Sequence, residues 1–503
     1  MFSKIQTCAF MGIKTSLVSV EVMISAGLPK FAIVGLPDKA ISEARERITS
    51  AFLSMGLALP PKKIIVNLAP ADVLKEGSHF DLPIALAILG ALDIVPSEEV
   101  ANYLVMGELS LSGHIKPVNG ILPAAIGAKD AGLGIICPAA QAGEALWSGN
   151  ENSLGANTLS EIVNHFKGSQ LIARAVMPSA FDVKHSVDMR DIKGQNQARR
   201  ALEIAAVGCH HMLMIGPPGV GKSMLASRLP TILPPMNAKE MLELSVINSV
   251  AGMKMEEGLC ISRPFRAPHH TASQASLTGG GMHAKPGEAS LAHNGVLFLD
   301  ELPEFYTASL DSLRQPLENG EITIARANAH ITYPAKFQLV AAMNPCKCGH
   351  FGNPNKACAS APLCALKYQN RISGPMYDRI DLVVEVENLN PWELNTIEPS
   401  EDSATIRARV IRAREFEMER LRRHFGTDGL LNAGLSGKQI EESANMSPDA
   451  HSMLIKAAEK FGLSARGYYK IMRIARTVAD MRFSDSLDTP DVSEALMFRR
   501  KVG

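Results

Sequence analysis

The sequence has few cysteines for its length and few large aromatic side chains. Its 503 residues include eight cysteines, two tryptophans and seven tyrosines. This scarcity of aromatic residues argues against a platform on which nucleic-acid bases stack. Lys and Arg together number 51, as do Asp and Glu, so the formal net charge is zero. A protein-wide basic field is therefore excluded, and contact with nucleic acid requires a local patch or a pore formed by several subunits.

The chain also lacks segments that direct proteins to membranes. No apolar run approaches the roughly 20 residues needed to cross a bilayer. The first residues show none of the charged, apolar and small-residue succession of a secretory leader. Four cysteines, Cys8, Cys137, Cys209 and Cys260, are far apart in the sequence. These features predict a soluble, cytoplasmic protein whose cysteines remain reduced and which has no membrane contact.

Length and periodicity predict about three units, because single domains usually contain roughly 100 to 200 residues. Residues 1–167 read as a mixed α+β unit, and the stretch SLVSVEVMIS alternates as a half-buried strand does. Residues 168–190 have no clear period and are predicted to form a linker. Residues 191–389 alternate helices with apolar strands, which indicates a parallel sheet. Residues 390–503 are predicted to be mostly helical.

A phosphate-binding loop is the most specific short motif. The string GPPGVGKS follows the apolar strand HMLMI and precedes a helical pattern, as this loop requires. Its backbone amides and the N-terminus of the following helix are expected to bind the phosphates of ATP. Lys222 would neutralise the β and γ phosphates, and Ser223 would bind Mg²⁺. The predicted nucleotide contacts are Gly216, Pro217, Pro218, Gly219, Val220, Gly221, Lys222 and Ser223.

Two further apolar strands end in polar side chains. VLFLDE delivers Asp300, expected to hold the Mg²⁺ shell, and Glu301, expected to polarise the attacking water. An acidic pair after a strand is usually a solvated loop start, and its combination with the phosphate loop favours the catalytic interpretation. FQLVAAMNP ends in Asn344, a neutral group suited to orienting that water.

Together these residues resemble the AAA+ ATPases, and within them the branch of the magnesium-chelatase ATPase subunit. The resemblance is closer still to the YifB/ComM family of competence-associated, magnesium-chelatase-like proteins. It rests on the strings FAIVGLPDKAISEARERI, RPFRAPHHTAS, KPGEASLAHNGVLFLDELPEF, NPCKCG and RISGPMYDRIDL. The resemblance implies an α/β fold: an AAA+ core at 191–389 and a helical lid at 390–503, preceded by an α+β Lon-protease-like domain of the ribosomal S5 domain 2 type.

The resemblance also implies roles for residues outside the phosphate loop. Asn344 matches sensor 1, and Arg466 matches the sensor 2 arginine of the lid. Arg379 matches the finger that reaches the ATP of a neighbouring subunit, and Arg371 is an alternative finger. An arginine supplied in trans can raise the rate of phosphoryl transfer on the order of 10³-fold. Hydrolysis would then depend on assembly, and the family implies a hexamer.

By the same resemblance the protein is expected to be an ATP-driven hexameric DNA motor. Its expected activity is branch migration of recombination intermediates, as a helicase, in natural transformation. The alternatives are a magnesium-chelatase-type or chaperone-like remodelling ATPase, and an ATP-dependent protease. A predicted hairpin with Arg326 near its turn is a candidate pore contact to DNA. So are the basic residues between the phosphate loop and the acidic pair: Arg263, Arg266, His269, His270, His283 and Lys285. Packing loops with solvated charges are the other explanation. The arginine-rich helix between Arg407 and Arg423 is a secondary candidate for DNA contact, and a solvated or ion-paired helix face explains it more economically.

The first unit resembles the proteolytic domain of Lon but lacks its catalytic pair. Aligning on KEG places His79 where the nucleophilic serine belongs, and aligning on PVNGI places Leu122 where the lysine base belongs. Ser78 is adjacent, but it is displaced by one residue, and a leucine cannot accept its proton. The unit is predicted to lack protease activity and to serve assembly or DNA contact.

Four cysteines fall within 19 residues in the segment 344–364. They provide enough thiolates to close a tetrahedral structural zinc site, with His350 as a spare ligand. The spacing is uneven, so unligated thiols are the alternative. Because the segment lies between Asn344 and Arg379, a zinc clip is expected to hold the loop that joins the ATP site to the subunit interface. The predicted ligands are Cys346, Cys348, Cys358 and Cys364.

Overall fold

The structure is a computed structural model that describes residues 1–35, 37–176, 186–253, 259–281, 284–326, 329–349, 351, 360–388, 400–427 and 429–499. The strands are β1 Phe2–Met11, β2 Lys14–Ser25, β3 Lys30–Val34, β4 Lys63–Ala69, β5 Tyr103–Val105, β6 Glu108–Leu109, β7 Ile115–Lys116, β8 Gly134–Pro138, β9 Ser153–Ala156, β10 Met212–Ile215, β11 Phe265–Arg266, β12 Val296–Leu299, β13 Glu321–Arg326, β14 Ala329–Pro334, β15 Gln338–Met343 and β16 Leu382–Glu385. The helices are α1 Lys39–Ser54, α2 Asp81–Ala91, α3 Ser97–Val100, α4 Ile121–Asp130, α5 Ala142–Leu146, α6 Leu159–Phe166, α7 Asn196–Gly208, α8 Lys222–Ile232, α9 Ala238–Ala251, α10 Gln274–Thr278, α11 Glu288–Leu291, α12 Thr307–Ser312, α13 Arg314–Asn319, α14 Leu363–Gln369, α15 Gly374–Tyr377, α16 Ser403–Phe425, α17 Gly437–Ser443, α18 Pro448–Phe461, α19 Ala465–Met481 and α20 Thr489–Met497.

The N-terminal unit is built on a mixed seven-stranded sheet in the order β3, β4, β2, β1, β5, β8, β9. Strands β1 and β2 form a long antiparallel hairpin, and β5, β8 and β9 continue the sheet in parallel. The alternating residues Val18, Val20, Val22 and Ile24 of β2 are all buried, as their period predicts. Every residue of α2 is buried, and all of them except Asp81 are apolar, as expected of a helix buried on every side.

The second sheet is parallel and has the order β11, β12, β15, β10, β16. Strands β10, β12 and β15 are buried along nearly their whole length, which accounts for their continuous apolar runs. The carboxyl ends of parallel strands meet at one edge of a sheet, and ligands bind outside that edge in open α/β sheets. The phosphate loop, the acidic pair and Asn344 directly follow these three strands.

Helices α16 to α20 continue the hydrophobic core of the second sheet. One cluster of buried side chains runs from Met189 through β10 and β16 to Phe498. The backbone amide of Val383 in β16 donates to the carbonyl of Phe498, 2.8 Å away. Met189 is completely buried, so this packed unit begins before Asp191. The predicted start of the lid at residue 390 lies outside the described residues, as does much of the predicted linker.

Arginines of α16 are used inside the protein. Arg409 pairs with Glu203, and Arg420 forms a buried ion pair of 2.9 Å with Asp480. The Arg414 guanidinium donates from Nε to the carbonyl of residue 206 at 2.8 Å. These contacts support the interpretation of α16 as a packed, ion-paired helix.

The N-terminal unit contacts the unit built on the second sheet through α4 and α9. The amide of Gly120 donates to the carbonyl of Ser249 at 3.1 Å. The buried carboxylate of Glu144 accepts hydrogen bonds from the Ser249 hydroxyl and from the Leu122 amide. Burial raises the pKa of Glu144, and these hydrogen bonds oppose that shift.

None of the helices in the described part of the chain has both the length and the apolar character of a membrane span.

Candidate nucleotide site

Three neighbouring strands bring the predicted nucleotide residues to one edge of the parallel sheet. Strand β15 lies between β10, which leads into the phosphate loop, and β12, which leads into the acidic pair. The amide of Gly216 donates to the carbonyl of Met343 at 3.2 Å and so joins the start of the loop to the end of β15. The loop is therefore anchored to the strand that carries Asn344.

Lys222 lies within the phosphate loop and contacts Asn344. Its Nζ donates to the carbonyls of Gly216 at 2.6 Å and Pro217 at 2.8 Å, and to Asn344 Oδ1 at 3.1 Å. Burial lowers the pKa of Lys222, while the charges of Asp300 and Glu301 oppose that shift. The ammonium is thus held beside two carboxylates and among acceptors that phosphate oxygens can replace.

Ser223 and Asp300 form the pair expected to hold Mg²⁺. The Ser223 hydroxyl donates to Asp300 Oδ2 at 2.6 Å. A hydroxyl beside a carboxylate offers the hard oxygen ligands that Mg²⁺ prefers. Gly219 and Gly221 have φ of 82° and 91°, a region that favours glycine, and helix α8 begins directly after Gly221. The residues present therefore fit a phosphate-bound Mg²⁺.

Glu301 has a strained backbone at the mouth of the site. Its φ is 52°, its amide donates to Asp300 Oδ1 at 2.9 Å, and its side chain is half exposed. His270 Nδ1 lies 3.4 Å from Glu301 Oε2. The sequence did not assign His270 to the ATP site. A signal was present, because His270 follows β11, which pairs with the strand leading into Glu301.

Both finger candidates are paired with carboxylates of their own chain. The largely buried Arg379 pairs with Glu318 and donates from Nη1 to the carbonyl of Pro375 at 2.7 Å. Arg371 is 46% exposed and pairs with Glu304 at 2.8 Å. Sequence reasoning missed both carboxylates, since neither lies near its arginine in the sequence.

The lid helix α19 contacts the segment that carries Arg379. Arg466, 69% exposed, pairs with Asp378 at 2.9 Å. Lys470 Nζ donates to the carbonyls of Tyr377 at 3.1 Å and Ile380 at 2.8 Å. Two cations of one helix thus contact the segment around Arg379: Arg466 through the Asp378 side chain and Lys470 through two backbone carbonyls.

Three of the four clustered cysteines come together. The sulfur atoms of Cys346, Cys348 and Cys364 all lie within 4.8 Å of one another. Cys346 is fully buried, and its sulfur accepts the amide of Phe351 at 3.3 Å. Two thiolates on a tetrahedral zinc lie roughly 3.8 Å apart, so this set fits such an ion. Cys358 and His350 lie outside the described residues.

The Lon-like positions cannot supply a serine and lysine pair. His79 is buried and its Nε2 contacts the Cys8 carbonyl at 2.9 Å. Burial lowers the pKa of His79 to about 4, so its imidazole is neutral at pH 7. Leu122 is completely buried in α4, and the hydroxyl of Ser78 bonds Glu108.

Family models match most of the chain. One described as Magnesium chelatase, subunit ChlI matches residues 188–394. Others, described as Subunit ChlI of Mg-chelatase and as Magnesium chelatase, subunit ChlI C-terminal, match residues 20–141 and 400–499. These matches, with the parallel sheet and its phosphate loop, define a magnesium-chelatase-like AAA+ protein. Such a class implies the use of ATP and Mg²⁺.

Relatives that match nearly the whole chain identify its family within this class. Competence protein ComM of Haemophilus influenzae is 44% identical over 501 residues, which are 98% of this chain and 96% of that protein. Uncharacterized protein YifB of Salmonella typhimurium is 41% identical over 497 residues, 98% of this chain and 96% of that protein. The chain therefore belongs to the ComM/YifB family. Lon protease 2 of Bacillus subtilis is 25% identical over 166 residues, 32% of this chain and 29% of that protein.

Proposed function

We propose that the protein is an ATP-driven DNA motor, a hexameric branch-migration helicase that acts on recombination intermediates in natural transformation. The observation that carries the motor function is the contact of Lys222 with Asn344 and of Ser223 with Asp300 at one sheet edge. A relative that is 44% identical is named a competence protein, and competence is the uptake of DNA by a cell. That name supports DNA as the substrate.

The residues of the site divide the work of hydrolysis. Lys222 and the loop amides bind the phosphates, and Ser223 with Asp300 would hold Mg²⁺. When bound, Mg²⁺ would supply positive charge beside the phosphate oxygens. Glu301 accepts a proton from the attacking water, and Asn344 orients that water beside Lys222. His270, 3.4 Å from Glu301, would position the carboxylate.

We propose that hydrolysis is completed by an arginine of the next subunit. Arg379 is the first candidate for this role and Arg371 the second. Support comes from α19, because Arg466 and Lys470 hold the segment around Arg379. A lid movement that follows the nucleotide state would move that segment as well. This arrangement couples the ATP site of one subunit to the finger directed at its neighbour.

The proposed contacts to DNA are fewer than the sequence indicates. Arg263 pairs with Glu240 at 3.1 Å, and Arg266 pairs with Glu288 at 2.6 Å, so both serve packing. The hairpin of β13 and β14 is present, and its side chain at His330 is exposed. We assign pore contacts to this hairpin. The side chain of Arg326 and the whole of His283 lie outside what the structure describes.

The function is tested by measuring ATP hydrolysis and branch migration together. Purified protein should hydrolyse ATP faster with branched or single-stranded DNA than without it. It should also resolve a labelled three-stranded junction only when ATP and Mg²⁺ are present. The control is Lys222→Ala, which removes the phosphate-binding ammonium. ATPase activity that DNA leaves unchanged, with no junction resolved, would contradict a DNA motor and favour a chelatase-type or chaperone-like remodelling ATPase.

We also propose that the thiols of Cys346, Cys348 and Cys364 bind a structural zinc. The closeness of their sulfur atoms supports this site. Cys358 stays the predicted fourth ligand. Protein purified under reducing conditions without chelators should contain about one zinc per chain.

A further inference from the structure

The cysteine turn lies against the phosphate loop. Gly349 closes the turn, because its amide donates to the carbonyl of Cys346 at 2.9 Å. A Cβ placed on Gly349 would lie 2.7 Å from Cδ of Pro218 and 3.1 Å from its Cγ. Backbone and proline ring are therefore in direct contact. Gly349 also has a φ of 79°, so both its conformation and its neighbour require a glycine.

This contact adds a third attachment between the phosphate loop and the segment after β15. The first is the hydrogen bond from Gly216 to Met343, and the second is the one from Lys222 to Asn344. Both of those lie at the end of a buried strand, which holds them in place. The third lies beyond the strand, in a turn whose middle residues Lys347 and Cys348 are exposed, and it needs another support.

Helix α14, which carries the third cysteine of the cluster, supplies that support for the turn. Cys364 lies in the first turn of α14, and Gln369 near the end of the same helix donates to the carbonyl of Pro345 at 3.1 Å. Helix α14 thus meets the cysteine turn at two points: the hydrogen bond of Gln369, and the sulfur of Cys364, which lies within 4.8 Å of the other two sulfur atoms. A metal ion bonded to the sulfur atoms would join the turn to α14 with bonds that neither segment can make alone.

We propose that the metal bound by Cys346, Cys348 and Cys364 braces the phosphate loop through Gly349 and Pro218, so that nucleotide affinity depends on metal occupancy. The proposal rests on the nucleotide site proposed above and assigns it a regulator. It differs from the sequence expectation, in which the clip holds the loop that joins the ATP site to the subunit interface. Without the metal, the turn and Pro218 gain conformational freedom that ATP binding must remove.

The test measures zinc content and nucleotide affinity on the same full-length samples. Zinc is determined by elemental analysis, and affinity by titration with a fluorescent non-hydrolysable ATP analogue in the presence of Mg²⁺. Cys364→Ser should lose zinc and raise Kd about tenfold or more, where tenfold corresponds to about 1.4 kcal/mol. Cys364→His, which offers a nitrogen ligand, should restore both zinc and affinity. Cys260→Ser is the matched control, because its sulfur lies outside the cluster and accepts from Asn248.

Two further samples separate the brace from general unfolding. Gly349→Ala keeps all three thiols but obstructs the contact with Pro218, so it should keep zinc and lose affinity. Wild-type protein whose zinc has been removed with a mercurial, followed by thiol to remove the mercurial, should bind the ATP analogue more weakly. Adding zinc back should restore its affinity for the analogue, so the effect needs no substitution.

The remaining outcomes distinguish failure of the proposed metal brace from failure of the proposed nucleotide site. Wild-type protein without zinc, or zinc-free protein whose Kd matches that of the zinc-loaded sample, would overturn the brace and leave the nucleotide site standing. Wild-type protein that binds the analogue no better than Lys222→Ala would instead refute the proposed nucleotide site.

Discussion

Glu417 carries a prediction about stability and pH. It lies on α16 with no exposed surface, and the amide of Asn432 donates to its Oε1. Its Oε2 has no hydrogen-bond partner among the described residues. Burial and then the charge of Asp480 raise its pKa to about 8, although the Asn432 amide, Arg414 and Arg420 oppose the shift. The folded protein therefore holds a neutral carboxylic acid at pH 7.

The sign and size of the effect follow from proton linkage. The same carboxyl has an ordinary pKa of 4.5, so the unfolded chain loses this proton well before the folded chain does. The stabilisation linked to Glu417 is complete below pH 4.5 and is lost as the pH rises toward 8. Within that window the contribution of Glu417 to the free energy of unfolding should fall by roughly 1.4 kcal/mol per pH unit. Above it the contribution of this residue is constant.

Replacement by glutamine removes the ionisation and keeps the shape. Between about pH 5 and 8 the stability of Glu417→Gln relative to wild type should rise by roughly 4 kcal/mol, then level off. Urea unfolding series at several pH values, read by pulsed amide exchange of peptides from α16 and α19, measure this difference. Glu419→Gln is the control, since that side chain is about half exposed on the same helix. Parallel pH profiles for wild type and Glu417→Gln would refute a neutral buried acid.

Three predictions concern the ATP site and the Lon-like unit. Glu301→Gln should bind ATP yet hydrolyse it very slowly, as nucleotide titration and phosphate release will show, and normal turnover would exclude Glu301 as the base. Arg379→Ala should lose on the order of 10³-fold in turnover with binding retained, and mixing it with Lys222→Ala subunits should restore activity, because the latter supply intact fingers in trans. If activity were instead restored only when Arg371→Ala subunits are mixed with Lys222→Ala subunits, the arginine finger would be Arg371. Unfolded protein substrates should remain uncleaved with ATP present, whereas cleavage abolished by Ser78→Ala would reveal a protease.

Local motifs were enough to predict the candidate nucleotide residues, because each part of that candidate site needs only short-range information. The phosphate loop is eight consecutive residues, and each carboxylate or amide follows an apolar strand directly. Parallel strands bring their carboxyl ends to one edge, so the contacts of Lys222 with Asn344 and of Ser223 with Asp300 follow from strand order. The lengths of these strands could also be predicted from the sequence, because a strand buried on both faces is an uninterrupted apolar run.

Charge was the property that sequence patterns described least well. Arg263 and Arg266 lie among glycines and histidines, where they suggest a surface for DNA. In the structure they pair with Glu240 and Glu288, which are more than twenty residues away in the sequence. A periodicity shows which face of an element is apolar, but not which carboxylate another element brings to a cation.

The sequence alone determined which chemical groups the protein carries: the phosphate-loop motif, the acidic pair, the clustered thiols and the lack of a serine and lysine at the Lon-like positions are all properties of residue type and short spacing. The tertiary structure alone decided which of these groups act on one another. It placed His270 beside Glu301, Arg466 and Lys470 around the segment of Arg379, and the turn of Gly349 against Pro218. The physical reason is that hydrogen bonds and packing contacts act over a few ångströms, whereas these partners are separated by roughly 30 to 130 residues of chain, which only the folded sheets and helices bring together.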